Sequence, residues 1–186
     1  MVEAILDASA RVLVEVGYDH STTNVIAERA GVGIGSLYEY FPGKEAIFAA
    51  LMRRLNAQMF TMMMSYIGDL NGLTAAERIE RVVEARVKSV LIDTKLYAAL
   101  KDQIPHAVTV DQTDHFIEEF QAVSVAFLNS FAPDVGSRPA GLVADVAMRT
   151  MYAVVEDLAI HDPKKLRDEG YIDELKFLMF RYILSD

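Results

Sequence analysis

The chain contains no cysteine, only four histidines and no glycine-rich phosphate loop. Without cysteine it can form neither a disulfide nor a thiolate metal site, as is usual in a reducing cytoplasm, where we expect this protein to act. The other residues form no recognisable catalytic constellation, so we predict no enzyme activity, catalytic residue, metal or cofactor. The chain has no uninterrupted apolar run of about 18 residues and no signal peptide, so we expect no membrane segment.

The composition favours a folded, all-helical protein. Hydrophobic residues make up 52 % of the chain and charged residues 24 %, which is typical of globular rather than disordered proteins. Apolar residues recur at intervals of three and four, and no alternation of useful length indicates a strand. We therefore predict an all-α fold of about nine helices. These include helices from about Lys44 to Ile67, from Thr74 to Leu91 behind a capping box, over 94–104 and 114–131, from Pro139 to Ile160, and over 173–184.

Residues 22–48 predict two short helices joined by a tight turn. In the first helix, apolar residues recur at the spacing of one buried face: Ile26, Ala27 and Ala30. Thr22 or Thr23 can cap its start, and Gly31 can end it because glycine adopts left-handed backbone angles readily. The second helix spans Ile34 to Tyr40, with Leu37 facing inward. This layout is typical of a helix-turn-helix, in which the second helix enters the major groove of DNA.

The same segment resembles the TetR family of bacterial transcriptional regulators. The matching residues are Thr22, Thr23, Ala27, Ala30, Gly31, Val32, Gly35, Leu37, Tyr38, Tyr40, Phe41, Lys44 and Glu45. The resemblance implies an N-terminal three-helix DNA-binding domain over residues 1–46. It also implies a C-terminal helical domain for ligand binding and dimerisation over residues 47–186. The expected function is that of a repressor, which a small apolar effector releases from a palindromic operator in double-stranded DNA.

Ten residues are expected to form the DNA-binding surface. The resemblance implies that Lys44 and the start of the first helix in the helix-turn-helix contact phosphate. It also implies that the second helix, the recognition helix, contacts the DNA backbone or base edges. The residues are Thr23, Asn24, Gly33, Ile34, Gly35, Ser36, Tyr38, Glu39, Tyr40 and Lys44. Ile34 can meet a thymine methyl group, and Glu39 can accept from cytosine N4. The alternative for Tyr38 and Tyr40 is structural, with both rings simply covering the core.

The charge of the chain opposes DNA binding. The net charge is −9 overall, and residues 1–48 carry three basic and seven acidic side chains. Phosphate binding normally uses a basic face. Hydroxyls, backbone N–H groups and helix N-termini also contact phosphates. We therefore expect weak, salt-sensitive binding to DNA.

The last two predicted helices are apolar on more than one face. Such a helix lies either at the centre of its own subunit or against a second copy of the chain. The resemblance favours a homodimer in which two helices from each subunit form a four-helix bundle. The predicted interface residues are Val146, Met151, Val154, Leu158, Leu175, Leu178, Met179 and Tyr182.

An apolar ligand pocket is expected in the C-terminal domain, because methionine and aromatic side chains adapt to varied apolar ligands. The candidate lining residues are Met59, Met63, Val87, Leu91, Leu100, Phe116, Phe120 and Tyr152. Plain core packing is the alternative for each of them. The acidic residues around His115 suggest a metal site only weakly, because an acid-rich helix start explains them better. In the family, ligand binding moves the helix that begins at Lys44 and so changes the spacing of the recognition helices.

Two other functions remain open. The chain can be an all-helical enzyme or carrier for an apolar molecule, which requires convergent polar groups in a pocket. It can also be a regulator that acts through a protein partner bound to its acidic N-terminal domain. If the protein selects a roughly palindromic duplex from random DNA, the repressor is favoured over both of these alternatives.

Overall fold

The computed structural model describes residues 1–105, 108 and 138–184. These residues form eight α-helices and one short 3₁₀ helix, with no strand in the described part. The helices are α1 (Val2–His20), α2 (Thr23–Ala30), α3 (Ile34–Tyr40), α4 (Lys44–Ile67), α5 (Ala75–Leu91), α6 (Thr94–Gln103), α7 (Ala140–His161) and α8 (Glu169–Leu184), with the 3₁₀ helix at Lys165–Arg167 between α7 and α8. None of the helices among these residues is both long enough and apolar enough to cross a bilayer.

The described residues fall into two compact units. The first contains Met1–Ala57 together with a stretch that begins at Asp93, and the second contains Gln58–Ile92 and residues 138–184. The division between these compact units lies within α4, and the domain boundary expected at residues 46 and 47 stays a prediction. The stretch that begins at Asp93 belongs to the first unit because α6 packs against α1. No local pattern in the sequence predicts this long-range contact.

In the first unit, α1 packs against both α2 and α6. Gly17 interrupts α1 with φ 78° and ψ 170°, angles that glycine adopts at little steric cost. The Ser21 hydroxyl then donates to the carbonyl oxygen of Gly17 at 2.6 Å. The apolar core of the unit includes the fully buried residues Ile5, Leu13, Ile26, Leu37, Ile47 and Phe48. These residues come from all four of the first helices, which fixes the helix-turn-helix on a common core.

In the second unit, α5 packs against α7 and α8, and α7 packs against α8. The capping box at the start of α5 forms as predicted, with Thr74 accepting from the Glu77 N–H and the Glu77 carboxylate accepting from the Thr74 N–H at 2.8 Å. The Arg81 guanidinium donates to the carbonyl oxygens of Ile67 and Asp69. It thereby gives a partner to the carbonyl of Ile67, the last residue of α4, and to the carbonyl of Asp69 in the connection that follows.

Most predicted helix bounds agree with the structure, and α8 is the main exception. α3 and α4 have the predicted bounds, while α8 begins at Glu169 rather than near Asp173. The Asp168 carboxylate accepts from the Tyr171 N–H at 3.1 Å, so an aspartate caps the helix one turn earlier. The 3₁₀ helix just before it was not predicted. The helix predicted over 114–131 lies outside the described residues.

Candidate functional site

The turn between α2 and α3 is built by hydrogen bonds at both ends of α2. The Thr22 hydroxyl caps the helix by accepting from the Val25 N–H at 3.3 Å. At the other end, Gly31 adopts left-handed angles of φ 68° and ψ 29°, and its N–H donates to the Glu28 carbonyl at 3.1 Å. The Val32 N–H donates to the Ala27 carbonyl at 3.0 Å. These bonds satisfy the last carbonyls of α2 and set the direction in which α3 leaves it.

The recognition helix α3 is attached to the core by one side chain and is otherwise open to solvent. Leu37 is fully buried, whereas 39 % of Ile34, 52 % of Tyr38 and 49 % of Tyr40 is exposed. Gly33, Gly35 and Glu39 are exposed as well, and Ser36 is half-buried. Both tyrosine rings therefore face solvent on the outside of the unit. Their exposure opposes the alternative in which they only cover the core.

Tyr38 also links the two helices of the motif. Its phenolic hydroxyl lies 3.1 Å from the hydroxyl of Thr23, at the start of α2, and either group can donate. Thr23 and Tyr38 were both predicted to contact DNA, and the structure brings them together on one exposed surface. Asn24 is exposed beside Thr23. The pair joins the start of α2 to the middle of α3, which helps to fix the position of the Tyr38 hydroxyl.

Lys44, predicted to contact phosphate, is half-buried at the start of α4 and held by Tyr18 of α1. Its ammonium donates to the Tyr18 carbonyl oxygen at 3.1 Å and lies 3.9 Å from the centre of the Tyr18 ring. The ring itself packs against Phe48, with 5.4 Å between ring centroids. An ammonium group has three N–H donors, so the bond to Tyr18 leaves two that can meet a phosphate.

Tyr18 is a contributor that the sequence prediction did not include. Burial, and then the carboxylates of Glu45 and Asp19, raise the pKa of its phenol. The phenol is therefore neutral at physiological pH, and its ring is available to a cation. The position of Tyr18 directly after Gly17 was the available signal, because a glycine inside a helix indicates a break that exposes the next residue's backbone groups.

Two arginines of this unit are already paired with carboxylates. Arg29 of α2 lies 2.7 Å from the Glu15 carboxylate, and Arg54 lies 2.9 Å and 2.7 Å from the carboxylates of Glu3 and Asp7. These pairs reduce the positive potential that the unit presents. The expected DNA surface thus depends mainly on hydroxyl groups, backbone N–H groups and Lys44.

The described residues among the predicted ligand contacts belong to both compact units. Met59, Met63 and Val87 are buried in the second unit, and Leu100 is buried in α6 of the first unit. Phe116 and Phe120 lie outside the described residues. Met63 forms an apolar cluster with Ile67 and Ala85, against which six partly buried side chains pack: Phe60, Tyr66, Leu70, Val82, Met148 and Tyr152.

A buried arginine at this cluster was not predicted. Arg86 of α5 is only 1 % exposed, and its guanidinium carbon lies 4.1 Å from the centre of the Tyr152 ring. Burial raises the pKa of Tyr152 to about 12, although the charge of Arg86 opposes that shift. The phenol therefore stays neutral, and its ring face interacts with the guanidinium cation. The three- and four-residue spacing places Arg86 on the same face of α5 as Val83 and Val90. Residues on such a buried face are usually apolar.

The second unit also has an open cleft of about 390 Å³ that is lined by both apolar and charged side chains. Val87 and Leu91 line it together with Leu166 and Ile172. Among its charged lining residues, the Lys176 ammonium lies 2.8 Å from the Glu84 carboxylate. This contact lowers the pKa of Glu84 and raises the pKa of Lys176. Two predicted ligand residues, Val87 and Leu91, therefore line this cleft.

The predicted dimer residues divide into two groups. Met151, Leu158, Leu175 and Met179 are buried within their own subunit. Only 1–3 % of each of these four side chains is exposed, so they pack mainly in the core of their own subunit, and their assignment to the interface stays a prediction. The other four are accessible to a partner: Val146, Val154, Leu178 and Tyr182. Further exposed apolar residues of α7 and α8 accompany them, namely Leu142, Phe177 and Phe180.

The residues considered for a metal site around His115 lie outside the described residues. Within the described part, no group of three histidine, aspartate or glutamate side chains is placed to hold a metal ion.

Two family models match the chain. Residues 5–51 match the bacterial regulatory proteins of the TetR family, and residues 74–183 match a tetracycline-repressor-like C-terminal domain. The N-terminal match contains α2, α3 and the start of α4, and the C-terminal match begins at the capping threonine of α5.

Curated relatives are similar over part or most of their length. The fatty acid metabolism regulator protein of Bacillus subtilis is 35 % identical over 79 residues, which is 42 % of this chain and 40 % of that protein. The transcriptional repressor KstR2 of Rhodococcus jostii is 24 % identical over 148 residues, 78 % of this chain and 71 % of the relative. The chain thus spans less than half of the first relative and more than two thirds of the second.

Solved structures share the fold at low sequence identity. NalD, the secondary repressor of the MexAB-OprM efflux pump in Pseudomonas aeruginosa, is 16 % identical with a TM-score of 0.79, over 100 % of this chain and 98 % of that one. FadR of Bacillus subtilis, solved in complex with stearoyl-CoA, is 19 % identical with a TM-score of 0.74 over the full length of both chains. These matches agree with the all-helical fold expected from the sequence.

Proposed function

Given that this chain belongs to the TetR family of bacterial regulatory proteins, we propose that it represses transcription from the cytoplasm by binding a palindromic operator as a homodimer. An apolar effector releases it from the DNA, and the protein itself catalyses no reaction. The observation that carries the proposal is the exposure of α3, which presents Ile34, Tyr38 and Tyr40 to solvent.

The side chains of α3 can be assigned roles in the major groove. Ile34 presents an apolar surface to a thymine methyl group, and the phenols of Tyr38 and Tyr40 donate to phosphate or base edges. Thr23 orients the Tyr38 hydroxyl from 3.1 Å away. Lys44 places its ammonium at the edge of the same surface and contacts phosphate.

Operator selection tests the proposal directly. The purified protein is incubated with random duplexes at low salt, and bound duplexes are amplified and sequenced. We expect a roughly palindromic consensus, because a two-fold symmetric dimer presents two recognition helices to two half-sites. Failure to enrich any duplex contradicts the repressor and favours a small-molecule carrier, an enzyme or a partner-binding regulator.

Variants then test the contact assignment. Tyr38→Phe and Lys44→Ala should each weaken operator binding, by roughly 1–3 kcal/mol for a base contact at Tyr38 and less for a phosphate contact at Lys44. Tyr171→Phe is the matched control, because Tyr171 is an exposed tyrosine of α8 in the second unit. Circular dichroism checks that helicity is unchanged. Wild-type affinity for both variants removes the assignment.

Homodimerisation is proposed through the exposed apolar residues of α7 and α8. Leu178 is 47 % exposed and Val146 is 38 % exposed, and pairing of two copies removes such surface from water. Leu178→Glu should shift the protein from dimer to monomer in sedimentation velocity. Ile92→Glu, at a residue of similar exposure after α5, is the control and should leave the assembly unchanged. A dimer that survives the Leu178 change contradicts this interface.

The effector is proposed to carry a long acyl chain. The support is the methionine- and aromatic-rich cluster around Met63, together with similarity to a fatty acid metabolism regulator and to a FadR structure with stearoyl-CoA. Native mass spectrometry of the purified protein, and release of a labelled operator by stearoyl-CoA, test it. Acetyl-CoA is the control with the same head group. Equal release by both compounds, or by neither, contradicts an acyl-chain effector.

A further inference from the structure

Tyr18 connects two elements that the helix-turn-helix motif does not contain. Because Gly17 breaks α1, the Tyr18 N–H lies outside regular helix geometry and needs another acceptor. The side-chain carbonyl of Gln103, the last residue of α6, accepts from it at 3.2 Å. A Cβ at Gly17 would lie 3.2 Å from the same Gln103 oxygen, so the close approach of Gln103 also favours glycine at residue 17.

The carbonyl and ring of the same residue hold Lys44. The Lys44 ammonium donates to the Tyr18 carbonyl oxygen at 3.1 Å and lies 3.9 Å from the ring centre. The backbone of Tyr18 is therefore held on both sides, with its N–H bonded to Gln103 and its carbonyl oxygen bonded to Lys44. A free lysine side chain samples many rotamers, and ordering it before DNA arrives removes part of the entropy cost of binding.

We propose that Gln103 is a positioning residue for DNA binding, because it fixes Tyr18 and thereby places the Lys44 ammonium for phosphate contact. Gln103 lies more than 60 residues beyond the recognition helix in the sequence, yet it belongs to the same compact unit. It acts without touching DNA. The inference rests on the proposed operator binding and on the phosphate contact of Lys44.

The salt dependence of operator binding supplies a readout that a purely structural role does not change. Each phosphate contact by a cation contributes about 0.9 to the slope of log K against log salt concentration. Lys44→Ala should therefore reduce the slope by about 1.8 in a dimer with two half-sites. Gln103→Met removes the acceptor while keeping the side-chain length. We expect Gln103→Met to weaken operator binding by about threefold to tenfold. It should also reduce the slope, but by less than Lys44→Ala does.

A double-mutant cycle shows whether Gln103 acts through Lys44. In the Lys44→Ala background, Gln103→Met should have no further effect on affinity or slope. Gln58→Met is the matched control, because Gln58 is also exposed on a helix, and it should behave as wild type. Because the Gln103 side chain is exposed, we expect the variant to fold. Faster hydrogen exchange at the Tyr18 amide would confirm loss of the hydrogen bond, and Gln103→Ala provides a second variant.

Each outcome separates the inference from the proposed function. If Gln103→Met binds as wild type, or weakens binding equally with and without Lys44 at an unchanged slope, Gln103 does not position Lys44. If Lys44→Ala leaves the slope unchanged, Lys44 makes no phosphate contact, and the inference fails while the α3 contacts stand. If no duplex is selected at all, the proposed function fails together with the inference.

Discussion

Replacing Gly31 and Gly35 by alanine should change stability in opposite directions. The two glycines lie four residues apart, and neither has an atom within 4 Å of the position that a Cβ would occupy. The same methyl group therefore enters open space in both variants. Gly31 has φ 68°, and an L-residue in this left-handed conformation costs about 1–2 kcal/mol. Gly35 lies inside α3, where alanine limits the unfolded chain and stabilises the protein by about 0.4–1 kcal/mol.

The prediction is measured by urea and thermal unfolding of the two variants and the wild type. Gly31→Ala should lower the midpoint temperature and Gly35→Ala should raise it, by about 2–4 °C for each kcal/mol in a chain of this size. Gly35→Ala should nevertheless weaken operator binding, because its methyl group lies on the surface proposed to enter the groove. If Gly31→Ala is neutral, or if both variants shift in the same direction, the backbone argument for this turn is refuted.

Three further predictions concern the core, a helix cap and an ion pair. Leu37→Ala should cost about 2–5 kcal/mol of unfolding free energy and abolish operator binding, because Leu37 is the buried residue that attaches α3; denaturant unfolding and gel shift measure both effects. Thr74→Ala should cost about 0.5–2 kcal/mol in the same unfolding assay, because it removes the capping box of α5. Lys176 lowers the pKa of Glu84 in the folded state. The Lys176–Glu84 contact should therefore contribute its full stabilisation above the ordinary glutamate pKa of about 4.3. That stabilisation should be lost as the pH falls through the lower pKa of Glu84 in the folded protein. Glu84→Gln should therefore show a shallower loss of stability in acid, and an unchanged acid profile would contradict the contact.

Local sequence patterns were sufficient to predict the helix-turn-helix. The bounds of α3, the caps at Thr22 and Gly31 and the inward position of Leu37 agree with the structure. Each depends on residues fewer than about six positions apart, whose steric and hydrogen-bonding preferences act within one turn. The capping box at Thr74 was predictable for the same reason.

The interface and pocket residues were less predictable, because periodicity gives the direction of a side chain but not what covers it. Met151, Leu158, Leu175 and Met179 have the spacing of an interface face, yet they are buried within the subunit. Leu100, predicted to line a ligand pocket, belongs to the first unit, and its role there stays a prediction.

The sequence alone determined which described segments become helices and which face of the short helix α3 is exposed, because caps, glycines and apolar spacing act locally. Only the tertiary structure decided which distant groups meet: Gln103 with Tyr18, Tyr18 with Lys44, and Arg86 with Tyr152. Their partners lie between 26 and 85 residues away in the chain. Such contacts depend on the packing of whole helices, which the preferences of neighbouring residues do not specify.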